Sequence, residues 1–152
     1  ARHQKLNYNF LQAVFYFGKA SRIEAENRAF VEDVIDFMEL EAYRHSTVGN
    51  LSYGVQKRVE VARALTLAPN ILLLDEPMAG MNIEEKEDMV RFVLDIQRER
   101  EITVVLIEHD LGVVMDISDK IYVLDFGELI GSGTPEEVAK NPDVIEAYIG
   151  EE

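Results

Sequence analysis

Two carboxylates stand side by side at Asp75 and Glu76, directly after the unbroken apolar run Ile71-Leu72-Leu73-Leu74. Four consecutive aliphatic residues are the pattern of a strand buried on both faces of a parallel sheet. That strand places Asp75 at a rigid tip where it can orient Mg²⁺ or a Mg²⁺-bound water. Glu76, one residue further and facing another direction, can polarise an attacking water. A buried strand that merely exits through an acidic turn reads the same way, so the dipeptide alone does not decide. Upstream, Leu51-Ser52-Tyr53-Gly54-Val55-Gln56 leads straight into an amphipathic pattern. The exposed N–H groups and positive dipole end of such a helix suit an anion. Ser52 adds a hydroxyl, and Gly54 lets a phosphate approach the backbone. An ordinary N-cap with a turn glycine is the competing reading. Downstream, His109 follows the second aliphatic run, Thr103 to Ile107. Emerging beside the Asp75-Glu76 strand end, it can donate a hydrogen bond to a terminal phosphate and hold the water in line.

The elements that must position these groups are readable from hydrophobic spacing. Phe10, Val14 and Phe17, then Phe30, Val34, Phe37 and Leu40, recur at three and four, predicting helix from about Asn7 to Tyr43. Its acidic residues, Glu24, Glu26, Glu32, Asp33, Asp36, Glu39 and Glu41, read as a solvated face. A loop from Arg44 to Leu51 delivers Ser52 as the cap of a helix running to about Leu67, which Pro69 stops. The pattern then alternates: strand Ile71 to Leu74, helix Ile83 to Arg100, strand Thr103 to Ile107, short helix Leu111 to Ile117, strand Ile121 to Leu124. Phe126-Gly127-Glu128 turns that strand back into Leu129-Ile130, and Thr134-Pro135-Glu136-Glu137 opens a last helical pair. Alternating strands and helices mean an α/β fold with a mainly parallel sheet, whose ligands bind at the carboxyl ends of the strands. Both polar clusters lie there.

Composition narrows the partners. A formal charge of -14, with no compensating run of Lys and Arg, disfavours direct binding to nucleic acid or an anionic membrane surface. It does not disfavour a small phosphate ligand, which backbone N–H groups and a metal ion can hold inside an acidic protein. The absence of cysteine removes disulfide scaffolds and thiolate metal sites and fits a reducing compartment such as the cytoplasm. The apolar stretch Phe10 to Phe17 is too short to span a bilayer or to serve as a signal core. The chain opens on Ala1 without methionine, which fits either removal of an initiator residue or a cut from something longer.

Taken in order, signature-like helix start, Asp-Glu strand and His strand resemble the ATP-binding cassette (ABC) family across essentially the whole chain. Leu51 to Gln56 looks like the family's signature, Ile71 to Glu76 its Walker B, Ala79-Gly80-Met81-Asn82 its D-loop and His109 its switch histidine. Tyr53 in place of the first signature glycine, the D-loop, Ile107-Glu108-His109-Asp110 and the tail Asn141 to Tyr148 look like the branch that energises branched-chain amino-acid uptake. Members of that branch also import urea, amides and related small solutes.

The resemblance implies a partial P-loop NTPase fold with three parts. These are a helical subdomain over 1–68 ending in the signature helix, the C-terminal part of a RecA-like core over 69–133, and a transporter-type helical tail over 134–152. It implies ATP and Mg²⁺ as cofactors. The cofactor-binding set would be Ser52, Tyr53, Gly54, Val55, Gln56 and Asn82, with Ser52 and Gly54 on the γ-phosphate of a partner's ATP. Asp75 would be the metal ligand, and Glu76 and His109 the catalytic residues. Asn82 stands where many members carry aspartate. The implied partners are a second cassette, docked head to tail, and transmembrane permease subunits, through which alone the chain would reach the cytoplasmic face of the inner membrane.

One departure matters. No Gly-x-x-x-x-Gly-Lys-Ser/Thr occurs in the 152 residues; Gly18-Lys19 is followed by Ala20, with Ala13 where the first glycine would stand. The expectation is therefore a C-terminal portion of a transporter ATPase, inactive alone. Its sheet should lack the P-loop strand between the strands at 103–107 and 121–124, exposing two apolar edges. A non-catalytic interaction module, or a soluble cassette ATPase of translation or DNA repair, are the other readings. Intact Asp75, Glu76 and His109 weigh against the module, and the acidic charge and tail against the soluble enzyme.

Overall fold

The computed structural model describes residues 19–149, with side chains from 21 to 148; the spacing of Phe10, Val14 and Phe17 lies outside the described residues. The chain divides into two compact units, one up to Leu106 and one from Ile107.

The first unit contains α1 (Lys19–Phe37), α2 (Tyr53–Leu65), β1 (Ile71–Asp75), α3 (Ile83–Arg100) and β2 (Thr103–Ile107). The first helix stops at Phe37, short of the expected Tyr43, because Glu39 turns the backbone into the left-handed region at φ 52°. Only single 3₁₀ turns follow, at Glu41–Tyr43 and Val48–Asn50. Phe92 of α3 is fully buried. Two guanidinium groups lie near its ring, Arg91 at 4.3 Å and Arg58 of α2 at 5.4 Å from the centroid. Both arginines reach Glu39, at 3.1 and 3.9 Å. Exposed ion pairs of this kind add little by themselves. Here they hold cations over a buried aromatic face, where attraction to the ring quadrupole and covered apolar area act together. Arg100 ties the far end of α3 to α1 by pairing with Asp33 and stacking 4.4 Å from the Phe37 ring.

β1 and β2 are hydrogen-bonded neighbours, and Thr103 N–H donates to the Asn70 carbonyl at 3.1 Å as the pairing begins. The helical crossover α3 between them is the connection parallel strands require. The expectation that both strands are buried on both faces is corrected. Leu72 and Leu74 are buried, but Ile71 is 59 % and Leu73 73 % exposed, and Val105 and Ile107 of β2 are exposed too. Period-two alternation sends successive side chains to opposite faces, and in β1 only one of the two faces is buried.

The second unit holds α4 (Leu111–Ile117), β3 (Ile121–Asp125), β4 (Glu128–Gly133), α5 (Pro135–Val138) and α6 (Pro142–Ile149). β3 and β4 form an antiparallel hairpin closed by the two residues Phe126 and Gly127, both at positive φ, the conformation that matches the twist of the strands. The register slips between Val123 and Leu124, leaving Ile130 as the extra residue of a bulge. Ile121, Val138 and Val144 form the core, with Val114, Met115, Val123 and Ile130 packed against it. Gly131 permits the close approach of α6: a Cβ there would lie 2.8 Å from Val144 and 2.9 Å from Asn141, whose amide donates to the Ile130 carbonyl. Among the described residues the strands make two separate two-stranded sheets, β1 with β2 and β3 with β4.

Candidate functional site

Ser52 has extended backbone and caps α2, its Oγ accepting the Val55 N–H at 3.4 Å. This satisfies one of the four N–H groups that a helix start leaves without partners. Gln56 turns back and donates to the Leu51 carbonyl at 2.9 Å, fixing the entry of the chain into the helix. The Val55 side chain is buried, so of its groups only the backbone belongs to this surface. Tyr53 is exposed on its outer side. Its ring lies over Gly80: a Cβ built on Gly80 would sit 3.5 Å from Tyr53 Cε1, and Gly80 itself turns at φ 74°. Lys57 lies one turn along, 5.6 Å from the same ring and 3.3 Å from Glu60. Desolvation pulls its pKa down, but the hydrogen bond and charge of Glu60, with Tyr53 adding to them, outweigh that and hold the ammonium above the ordinary lysine value.

Gly54 is buried, and its N–H donates to a carboxylate, Glu85 Oε1, at 3.3 Å. Glu85 belongs to the first turn of α3 and completes a capping box: its N–H goes to Asn82 Oδ1 at 2.9 Å, and its Oε2 accepts the Asn82 N–H at 3.3 Å. The signature-like and D-loop-like segments are thus brought together, through Tyr53 on Gly80 and through Glu85 on Gly54 and Asn82. Sequence reasoning passed over Glu85. The box Asn82-Ile83-Glu84-Glu85 was a readable signal for its role at α3, but nothing local signals its reach to Gly54, 31 positions away.

Asp75 and Glu76 are both exposed at the carboxyl end of β1, and Glu76 holds φ 43°, a left-handed conformation uncommon outside glycine. Asp75 also lines an open depression of about 200 Å³ with Lys57, Glu60, Leu73 and Pro77. His109 belongs to the second unit, between β2 and α4; its side chain is exposed, with Nδ1 4.0 Å from Oε2 of the nearly buried Glu108 carboxylate. Asp110 caps α4 through the Val113 N–H. No cluster of three or more His, Cys, Asp or Glu suited to a metal occurs among the described residues. No helix among them is long and apolar enough to cross a membrane.

A family model described as ABC transporter matches residues 2–79, a span that takes in α2, β1 and the Asp75-Glu76 turn. The chain belongs to the ABC transporter family. A second model, described as branched-chain amino acid ATP-binding cassette transporter, matches residues 128–152 of this ABC protein. It is 41 % identical over 151 residues to the high-affinity branched-chain amino acid transport ATP-binding protein BraF of Pseudomonas aeruginosa, covering 99 % of this chain and 59 % of BraF. It is 36 % identical, with the same coverages, to the corresponding protein LivG of Escherichia coli K12. The ADP conformation of an ATP-binding cassette of an ABC transporter superimposes with a TM-score of 0.76 at 30 % identity, over 98 % of this chain and 59 % of that one. A nucleotide-free cassette from an ABC transporter gives 0.75 at 31 % identity, over 94 % and 57 %. The fold is that of an ABC ATPase, and the chain spans 59 % of the length of the curated relatives it matches. Membership in this family implies nucleotide binding.

Proposed function

We propose that this chain is the signature-bearing portion of the ATP-hydrolysing subunit of an importer for branched-chain amino acids or similar small solutes such as urea or amides. The observation that carries the reading is the helix start at Ser52. There Ser52 stands exposed at the N-terminus of a 13-residue helix, the end whose dipole and hydroxyl suit an anion, while the Gly54 N–H is taken by Glu85 within the chain. The match of the tail to the branched-chain model, and the identity to BraF, support the choice of solute class.

Asp75 fits Mg²⁺: it is an exposed, acceptor-only carboxylate at a strand tip, and a cation that keeps waters and substrate phosphates as ligands needs no dedicated protein cage. When bound, Mg²⁺ neutralises charge on the phosphates. Glu76 would accept the proton of the attacking water, and His109 would donate a hydrogen bond to the terminal phosphate. Ser52, Tyr53, Gly54, Val55, Gln56 and Asn82 would form the surface offered to the nucleotide of a second cassette. The helical segment before residue 69 would dock on permease subunits at the cytoplasmic face of the membrane, and the segments 69–133 and 134–152 would be core and tail.

The 152-residue chain carries no P-loop lysine or its nest of N–H groups, and we expect negligible ATP turnover from it alone. A chain extended upstream through a Gly-x-x-x-x-Gly-Lys-Ser/Thr segment should hydrolyse Mg²⁺-ATP and lose that activity on Glu76→Gln. Robust hydrolysis by residues 1–152, or full activity of the extended Glu76→Gln variant, would overturn the reading.

A further inference from the structure

Glu85 uses its two carboxylate oxygens on two different segments. Oε1 accepts the Gly54 N–H and Oε2 accepts the Asn82 N–H, each at 3.3 Å. The Gly54 N–H lies in the first turn of α2, where no intrahelical acceptor exists. The contact is close enough that only glycine fits without movement: a Cβ on residue 54 would lie 2.6 Å from Oε1, 2.8 Å from Cδ and 2.9 Å from Cγ of Glu85. The Tyr53 ring also lies close to Gly80, near enough that a Cβ there would meet Cε1 at 3.5 Å, so the same two segments approach at a second place.

We propose that Glu85 is a positioning residue that clamps the Ser52–Gln56 segment to the Ala79–Asn82 segment, so that both meet a second cassette's nucleotide as one body. The clamp needs an acceptor at both ends. An isosteric amide offers one carbonyl oxygen and turns a donor toward the second N–H, so Glu85→Gln breaks one bond whichever way it is flipped. A helix cap alone would need only the Asn82 end. The proposal rests on the nucleotide-facing reading of the two segments, but the clamp itself is measured without nucleotide.

The test is amide hydrogen exchange by NMR on the full 152-residue chain. In Glu85→Ala, which removes both acceptors, the Gly54 and Asn82 amides should both exchange roughly tenfold faster, the factor expected for loss of one hydrogen bond to a charged group, while the Phe92 and Ile96 amides keep their protection. Gly54→Ala, which pushes the carboxylate away, should accelerate exchange at Asn82, and should add nothing in a Glu85→Ala background. Acceleration at Asn82 alone in Glu85→Ala, or no response of Asn82 to Gly54→Ala, overturns the clamp and leaves Glu85 a cap of α3. Loss of protection throughout the core in both variants also overturns it, because Glu85 would then be a general stability element. None of these results depends on whether the extended chain hydrolyses ATP.

Discussion

At the junction of α2 and α3 the chain supplies its own partners: Ser52 takes the Val55 N–H, and Glu85 takes those of Gly54 and Asn82. A few residues away, the outer face of the β1–β2 sheet carries Ile71, Leu73 and Val105 exposed, although the inner face of the same strand buries Leu72 and Leu74. Helix starts can be completed by side chains close at hand, because a cap needs one or two well-placed oxygens. A doubly apolar strand needs a whole element against each face, and in β1 only one of the two faces is buried. The difference separates what local chemistry can satisfy from what demands further polypeptide.

The largest effect should come from breaking the packed side of this comparison. Phe92→Ala removes a fully buried ring contacted by Arg58 and Arg91 and should cost about 3–5 kcal/mol in chemical denaturation. The two faces of β1 can then be weighed with one residue type. Leu72→Ala should cost about 2–5 kcal/mol, and Leu73→Ala should stay within about 0.5 kcal/mol. Equal losses would show that the outer face is covered. Asn82→Ala removes the cap of α3 and should cost about 1 kcal/mol. Opposite in sign is Glu101→Gly: Glu101 closes α3 at φ 53°, so glycine should gain up to about 1 kcal/mol, read as a raised thermal midpoint.

Much of the framework was legible in the sequence. The helices at Ile83–Arg100 and Leu111–Ile117 and the strands β1, β2 and β3 begin and end within a residue or two of where caps, prolines and apolar runs put them, and the Ser52 cap follows from its place before an amphipathic run. β4 runs further than Leu129-Ile130, because pairing with β3 extends it through a bulge and a glycine that no periodicity announces. The first helix ends early at a left-handed glutamate, a backbone choice that composition does not signal. The exposed face of β1 was misread because four aliphatic residues encode burial on both sides without saying which polypeptide provides it. The tie between Gly54 and Glu85 was invisible because it is a tertiary contact between two helix starts, each of which looks complete alone.

The central claim is that this chain offers Ser52 to the nucleotide of a second cassette while its own Asp75 and Glu76 serve another site. Complementation between two variants of the upstream-extended chain tests it most directly. Extended Ser52→Ala and extended Glu76→Gln should each hydrolyse Mg²⁺-ATP poorly. Their mixture should recover activity, because a mixed dimer contains one site with both an intact Ser52 and an intact Glu76. A mixture no more active than its separate components would place Ser52 and Glu76 in the same site and contradict the account.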